Sequence, residues 1–202
     1  MSRKSRKVDL IEKRTVFDGY FQIHKYRLKF SLHQGGMSEA IDREVFERGQ
    51  VAAVLPVDPV RDQVVLIEQF RIGPYAVGWD PWLLEGVAGI IEDGESPEDV
   101  AIREAREEAG CEITELVPMM RYLSSPGACT ETVALYCGRV DASGAGGVHG
   151  LDEEHEDIKV IVYGIDEALD MLRAGKIVNG KTIIALQWLA LNYPQLKQRW
   201  LG

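Results

Sequence analysis

Gly89–Cys111 reads GIIEDGESPEDVAIREAREEAGC, and the rest of the chain is arranged around this stretch. It is a loop feeding a short helix. Ser96 suits the N-cap, Pro97 the first helical position, and Asp99, three residues on, approximates a capping box. Gly110 suits a left-handed C-terminal cap. Roughly three to four turns lie between them, an ordinary helix length. Val100, Ala101, Ile102, Ala105 and Ala109 give that helix a thin apolar side.

The opposite side is acidic. Glu104 and Glu108 are four apart and share a face, Glu107 is three from Glu104, and Arg103 and Glu107 are spaced to pair. In water such like-charge pairs cost only about a few tenths of a kcal/mol each. Partly buried, at an effective dielectric near 20, carboxylates about 5 Å apart repel by roughly 3 kcal/mol. A divalent cation reverses that sign. Carboxylate and carbonyl oxygens alone suit Mg²⁺ or Mn²⁺ rather than zinc. The triplet by itself reads first as a solvated acidic helix face. Glu95 in the preceding loop adds a fourth acid, and Arg103 sits among them as if fixing a rotamer.

Length and composition bound the remaining possibilities. The 202 residues make one domain, or a domain with an appendage, and are enough to bury a sizeable core. Apolar residues are 46% and charged residues 27%, the balance of a soluble globular protein. The net charge of −9 argues against nonspecific nucleic-acid binding. Three cysteines without metal-type spacing predict reduced thiols in a cytoplasmic protein. The basic start MSRKSRK leads to no apolar signal core and reads as a frayed terminus, and no apolar run is long enough to span a membrane.

Along the chain, Thr15 to Leu32 reads as one strand, turned at Gly35-Gly36 into a return strand from Ala40 to Phe46. This sheet is too small to stand alone. Gln50 to Val57 and Gln63 to Arg71 predict a central apolar hairpin around the turn Asp58–Asp62. Ile72 to Pro81 reads as a loop, with Trp82 in the core. Trp82 to Val87 then reads as a strand delivering the chain to Gly89. Further strands are expected at Leu116–Leu123, Thr132–Val140 and Ile158–Tyr163, and a flexible loop at Ala142–Gly150. Helices are expected at Asp166–Ala174, capped by Asp166, and Lys181–Asn192. The acidic run Asp152–Asp157 reads either as a solvated loop or as a mobile segment closing on a metal site with a general base. Strands interleaved with helices indicate an α/β layered fold with a mixed sheet.

The Gly89–Cys111 stretch resembles the Nudix box, Gly-x5-Glu-x7-Arg-Glu-U-x-Glu-Glu-x-Gly-U with U aliphatic. Gly89, Glu95, Arg103, Glu104, Glu107, Glu108 and Gly110 fill every fixed position, with the small apolar Ala105 and Cys111 at the two U positions. The whole chain resembles the bacterial ADP-ribose pyrophosphatases of the Nudix superfamily, through DREVFERG, VVLIEQFR, PWLLE, SPG followed by Glu131, HGL with DEEHEDI, and IIALQWL. Pro126, sixteen residues beyond Gly110, has a spacing that in this superfamily goes with ADP-ribose hydrolysis. The resemblance implies an α/β/α sandwich over residues 49–202 and a small N-terminal antiparallel sheet over residues 1–48. That sheet would exchange strands in a homodimer whose site is shared across subunits.

The resemblance also implies roles for individual residues. Glu104, Glu108, Glu156 and the Ala88 carbonyl would hold two or more Mg²⁺ or Mn²⁺ ions. Glu154 would be the general base, Glu107 a ligand or a carboxylate beside the ligands, and Arg103 the residue that orients them. Tyr20 and Phe21 would sandwich the adenine, with Arg43 and Glu44 reading its edge. Arg71 would contact the diphosphate and Ile90 would offer backbone contacts. Ser125, Pro126, Gly127 and Glu131 would hold the terminal ribose. A hydrolase for another nucleotide sugar such as GDP-mannose would share the catalytic residues. A silent regulatory Nudix domain would usually have lost box glutamates, and none is lost here.

Overall fold

The computed structural model describes residues 6–151, 153 and 155–202. They form two compact units, Met1–Gln50 with Leu123–Thr132, and Val51–Tyr122 with Val133–Gly202.

The first unit is a three-stranded antiparallel sheet of β1 (Val8–Asp18), β2 (Gln22–Phe30) and β3 (Ile41–Glu47), in that order. The single strand expected from Thr15 to Leu32 is broken at residues 19–21, and β1 begins at Val8, inside the stretch that follows the basic start. At the break Gly19 N–H donates to Phe21 O (3.0 Å), and β1 pairs with β2 back to Val8↔Phe30. Every residue of β1 is exposed, including Val8, Leu10, Ile11, Val16 and Phe17. The later segment is stitched to β3: Phe46 N–H donates to Ala128 O (2.7 Å) and Thr130 N–H to Phe46 O (3.0 Å). Thr130 Oγ1 accepts from Arg48 N–H and donates to Glu47 Oε1.

The second unit holds most of an eight-stranded sheet. Its strands are β4 (Gln50–Asp58), β5 (Gln63–Phe70), β6 (Trp82–Glu85), β7 (Val87–Ile90), β8 (Glu115–Leu123), β9 (Thr132–Arg139), β10 (Gly147–His149) and β11 (Ile158–Gly164). The order is β10-β11-β5-β4-β9-β8, with β6 on β5 and β7 on β4. The helices are α1 (Ile72–Ala76), α2 (Pro97–Ala109), α3 (Ile165–Arg173) and α4 (Gly180–Leu201).

The apolar runs of β4 and β5 are buried on both faces because alternate side chains point oppositely. Val51, Ala53, Leu55, Val57, Val64 and Leu66 join Ile165, Leu169, Leu186 and Leu189 in one core, beside α3 and α4. Ala52, Val54, Val65 and Ile67 join Val100, Ala101, Ala105 and Ala109 in the other, beside α2. This is an α/β/α sandwich.

The β4–β5 turn is built on Asp58, which is 1% exposed. Its carboxylate accepts from the Val60, Arg61 and Ala142 backbone N–H groups and from Arg61 Nη1. Burial alone would raise its pKa, but these donors hold it below the usual carboxylate value.

Several local expectations are corrected. Trp82 is exposed, standing at the strand end against Phe70. The loop after β5 contains α1, and the expected strand at Trp82–Val87 is two strands broken at Gly86. Gly86 lies so close to Val54 O that a Cβ there would sit 3.2 Å away, and its N–H donates to Thr182 Oγ1 (2.9 Å). The stretch 142–150 holds a 3-10 turn and β10. Gly164, rather than Asp166, is the N-cap of α3, because β11 runs directly into it. Helix α4 continues through Pro194 to Leu201 and buries Leu196 and Trp200.

Candidate active site

Helix α2 begins as its sequence dictates: Ser96 Oγ accepts from Asp99 N–H (3.1 Å) and donates to Asp99 Oδ2 (2.6 Å). It ends on Gly110 with φ 61° and ψ 22°. The ring of His149 lies where a Cβ on Gly110 would stand, with Cε1 2.7 Å from that point. The alanine side presses on the sheet and leaves Glu104 and Glu107 partly exposed. Arg103 gathers three of the acids. Its Nη1 donates to Glu104 Oε1 (2.7 Å) and Glu107 Oε2 (3.0 Å), while Nε and Nη2 meet Glu95 at 3.2 and 3.4 Å. Burial would lower its pKa, but these carboxylates hold the guanidinium firmly protonated.

The fourth acid lies deeper. Glu108 is 3% exposed, and its Oε2 accepts from Ala88 N–H (3.0 Å) on β7. Burial pushes its pKa up to about 8; Ala88 N–H opposes this, Glu104 and Glu156 add to it, and Lys181 counters. Burial likewise raises Glu104, against the pull of Arg103 and with further push from Glu107 and Glu156. Gly89 makes room for this arrangement, since a Cβ there would fall 1.9 Å from Glu104 Oε1. Glu156 Oε2 accepts from Leu151 N–H (3.2 Å). Glu154 lies outside the described residues.

Arg71 borders the same acids. Burial depresses its pKa, but Glu85, helped by Glu108 and Glu156, raises it overall. Its Nε and Nη2 donate to Glu85 Oε2 at 3.2 and 2.8 Å. Glu85 and Gln69 carry no role in the sequence reading. Gln69 is buried two residues before Arg71, and its Nε2 finds no partner among the described residues. Ile90, ending β7, is exposed.

The substrate-end candidates lie in the first unit. Tyr20 is 89% exposed and stands edge-on to Phe21 (4.6 Å between centroids, 77°). The Arg48 guanidinium lies 4.5 Å over the Phe21 ring and pairs with Glu131 at 3.4 Å. Arg43 and Glu44 are exposed on β3, the outer strand of that sheet's order. Ser125, Pro126 and Gly127 form a turn in which Ser125 O accepts from Ala128 and Cys129 N–H.

Among the described residues no three acid, His or Cys side chains are drawn close enough to grip an ion as they stand. Glu104 and Glu107 are turned instead toward Arg103. The donor set nonetheless fits a hard divalent cation. Glu104, Glu108 and Glu156 are all oxygen donors, and for Glu104 and Glu108 burial and the neighbouring carboxylates make the charged form costly. A cation placed among them removes that cost.

A three-layer sandwich that presents a Gly-x5-Glu-x7-Arg-Glu-x-x-Glu-Glu-x-Gly segment on one loop and helix defines a Nudix-type hydrolytic scaffold. The NUDIX domain family profile matches residues 38–186, and the chain belongs to that family. It is 49% identical over 193 residues to the ADP-ribose pyrophosphatase of Escherichia coli strain K12, covering 96% of this chain and 92% of the relative. It is 43% identical over 196 residues to the ADP-ribose pyrophosphatase of Haemophilus influenzae, covering 96% and 90%. The GDP-mannose pyrophosphatase of Pectobacterium atrosepticum is 36% identical over 188 residues, covering 91% and 94%. The crystal structure of an ADP compounds hydrolase shares the fold with a TM-score of 0.73 at 19% identity, over 97% of this chain and 100% of that one.

Proposed function

We propose that this chain hydrolyses the diphosphate of ADP-ribose, adding water to give AMP and ribose 5-phosphate. The observation that carries the reading is the set of mutually repelling acids Glu104, Glu108 and Glu156 with Arg71 beside them. In this reading the acids take a cation and Arg71 meets the diphosphate beside it, which the raised Glu104 and Glu108 and the neighbouring Arg71 support. The near full-length similarity to ADP-ribose pyrophosphatases supports the substrate. When bound, two or more Mg²⁺ or Mn²⁺ ions would neutralise the diphosphate and lower the pKa of an attacking water.

Glu104, Glu108, Glu156 and the Ala88 carbonyl hold the ions in this reading, and Arg103 with Glu107 keeps the acids oriented. Glu154 takes the proton from the attacking water, and Arg71 meets the diphosphate. Tyr20, Phe21, Arg43 and Glu44 take the adenine, while Ser125, Pro126, Gly127 and Glu131 take the terminal ribose. The exposed apolar row on β1 supports a homodimer in which this sheet reaches a second copy. Three unpaired cysteines support a reducing, cytoplasmic setting.

The test is product identification with Mg²⁺ across nucleoside diphosphate sugars. AMP and ribose 5-phosphate from ADP-ribose, abolished by a chelator, are expected. Faster cleavage of GDP-mannose would move the chain to that second reading, which the 36% identity to such an enzyme keeps open. Glu154→Gln should cut turnover while sparing substrate binding. If Glu153→Gln does the damage instead, the base lies one residue earlier.

A further inference from the structure

We propose that Glu85 is a positioning residue for this reaction: its buried carboxylate fixes the Arg71 guanidinium in the pose that meets the diphosphate, and ties that pose to the start of α4. The proposal rests on the reading that Arg71 contacts the diphosphate of a nucleotide sugar.

Glu85 ends β6 and is 1% exposed. Its two oxygens have different partners. Oε2 accepts from Arg71 Nη2 (2.8 Å) and Nε (3.2 Å), with Lys181 Nζ at 3.8 Å. Oε1 accepts from Asn179 Nδ2 (2.8 Å). Asn179 in turn caps α4, its Oδ1 accepting from Thr182 N–H (3.2 Å), and Thr182 Oγ1 accepts from Gly86 N–H. The anchor under Arg71 is therefore the half-buried cap of a helix start, tied through the buried Thr182 to the strand break at Gly86.

An arginine carries five N–H groups in a rigid fork. The described bonds to Glu85 use Nε and one N–H of Nη2. Neither of those bonds uses Nη1, and the Arg71 side chain is 39% exposed. The guanidinium lies within the electrostatic reach of Glu108 and Glu156. A fork fixed along one edge presents the other edge in a set direction. It has less rotamer freedom left to lose when phosphate oxygens arrive, and this helps binding. The Glu85 charge also offsets part of the arginine's attraction for the substrate. The two effects predict opposite signs on removal of the charge, so the experiment decides between them.

Steady-state kinetics on full-length Glu85→Gln, Arg71→Ala and the double variant test the proposal. Glu85→Gln should raise KM for ADP-ribose about tenfold and change kcat less, because a ground-state and transition-state contact is loosened alike. The double variant should be no worse than Arg71→Ala alone, since Glu85 acts through Arg71. Asp58→Asn, in the β4–β5 turn, serves as a control: it should lower the melting temperature and leave KM in place. If Glu85→Gln does not fold, Glu85→Asp, which keeps the charge and shortens the reach, should show the same KM-directed loss at smaller size. The proposal is overturned if KM falls or holds in the Glu85 variants while Arg71→Ala raises it, or if the two substitutions add. If Arg71→Ala leaves KM unchanged, the placement of Arg71 on the diphosphate fails, and the proposal falls with it.

Discussion

Asp58 and Glu108 are both buried carboxylates of the second unit, at 1% and 3% exposure, yet their protons are held in opposite ways. Asp58 meets three backbone N–H groups and an arginine, and its pKa falls. Glu108 meets one backbone N–H, with Glu104 and Glu156 pressing on it, and its pKa rises to about 8. Burial opposes the charge in both. The difference lies in how many donors the fold supplies. Asp58 is satisfied by its own turn together with Ala142 N–H, whereas Glu108 is left short of positive charge, which suits the ligand role proposed for it.

Substitutions should separate the two regions. Glu108→Gln should lower kcat by about 10²–10³-fold, the scale for losing a directly placed electrostatic contact, while the chain still folds; near-normal turnover would break the comparison. Gly89→Ala should come next, lowering activity roughly tenfold, because the new Cβ must push Glu104 out of its place. Circular dichroism should show the fold intact. Asp58→Asn should do the reverse, costing about 2 kcal/mol in denaturant melts with turnover unchanged, because its amide turns a donor toward other donors.

The smallest effect concerns pH in the presence of a chelator. Glu108 has a folded pKa raised from 4.5 to about 8, so its contribution is present below 4.5 and lost as pH climbs through 8. The slope is at most about 1.4 kcal/mol per pH unit for one proton. Asp58, with a lowered pKa, contributes above 3.8 and loses that contribution as pH falls through its depressed value. Melting curves from pH 4 to 9, in buffers about one unit apart, should show the alkaline loss vanish in Glu108→Gln and reverse on adding Mg²⁺.

The α2 segment was legible in the chain because its signals are local: Ser96, Pro97 and Gly110 mark its ends, and the alanines mark its buried side. The two-faced strands β4 and β5 were legible for the same reason. What escaped depends on partners distant in sequence. Glu85 meets Arg71 only because β6 pairs with β5 in the register Ile67↔Glu85. Its link to Asn179 spans 94 residues. The exposure of Trp82 follows from its place at the end of that pairing. The helix expected to end at Asn192 instead runs through Pro194, where burial of Leu196 and Trp200 offsets a cost of about 3 kcal/mol. The Asn192 side chain also donates to Trp188 O, one turn back in the helix.

Gly110 answers to two demands at once, a left-handed dihedral and the imidazole packed against it. Transplanting the box into a foreign scaffold would satisfy the first and forfeit the second. The transplanted helix would then lack the His149 ring that β10 packs against its end.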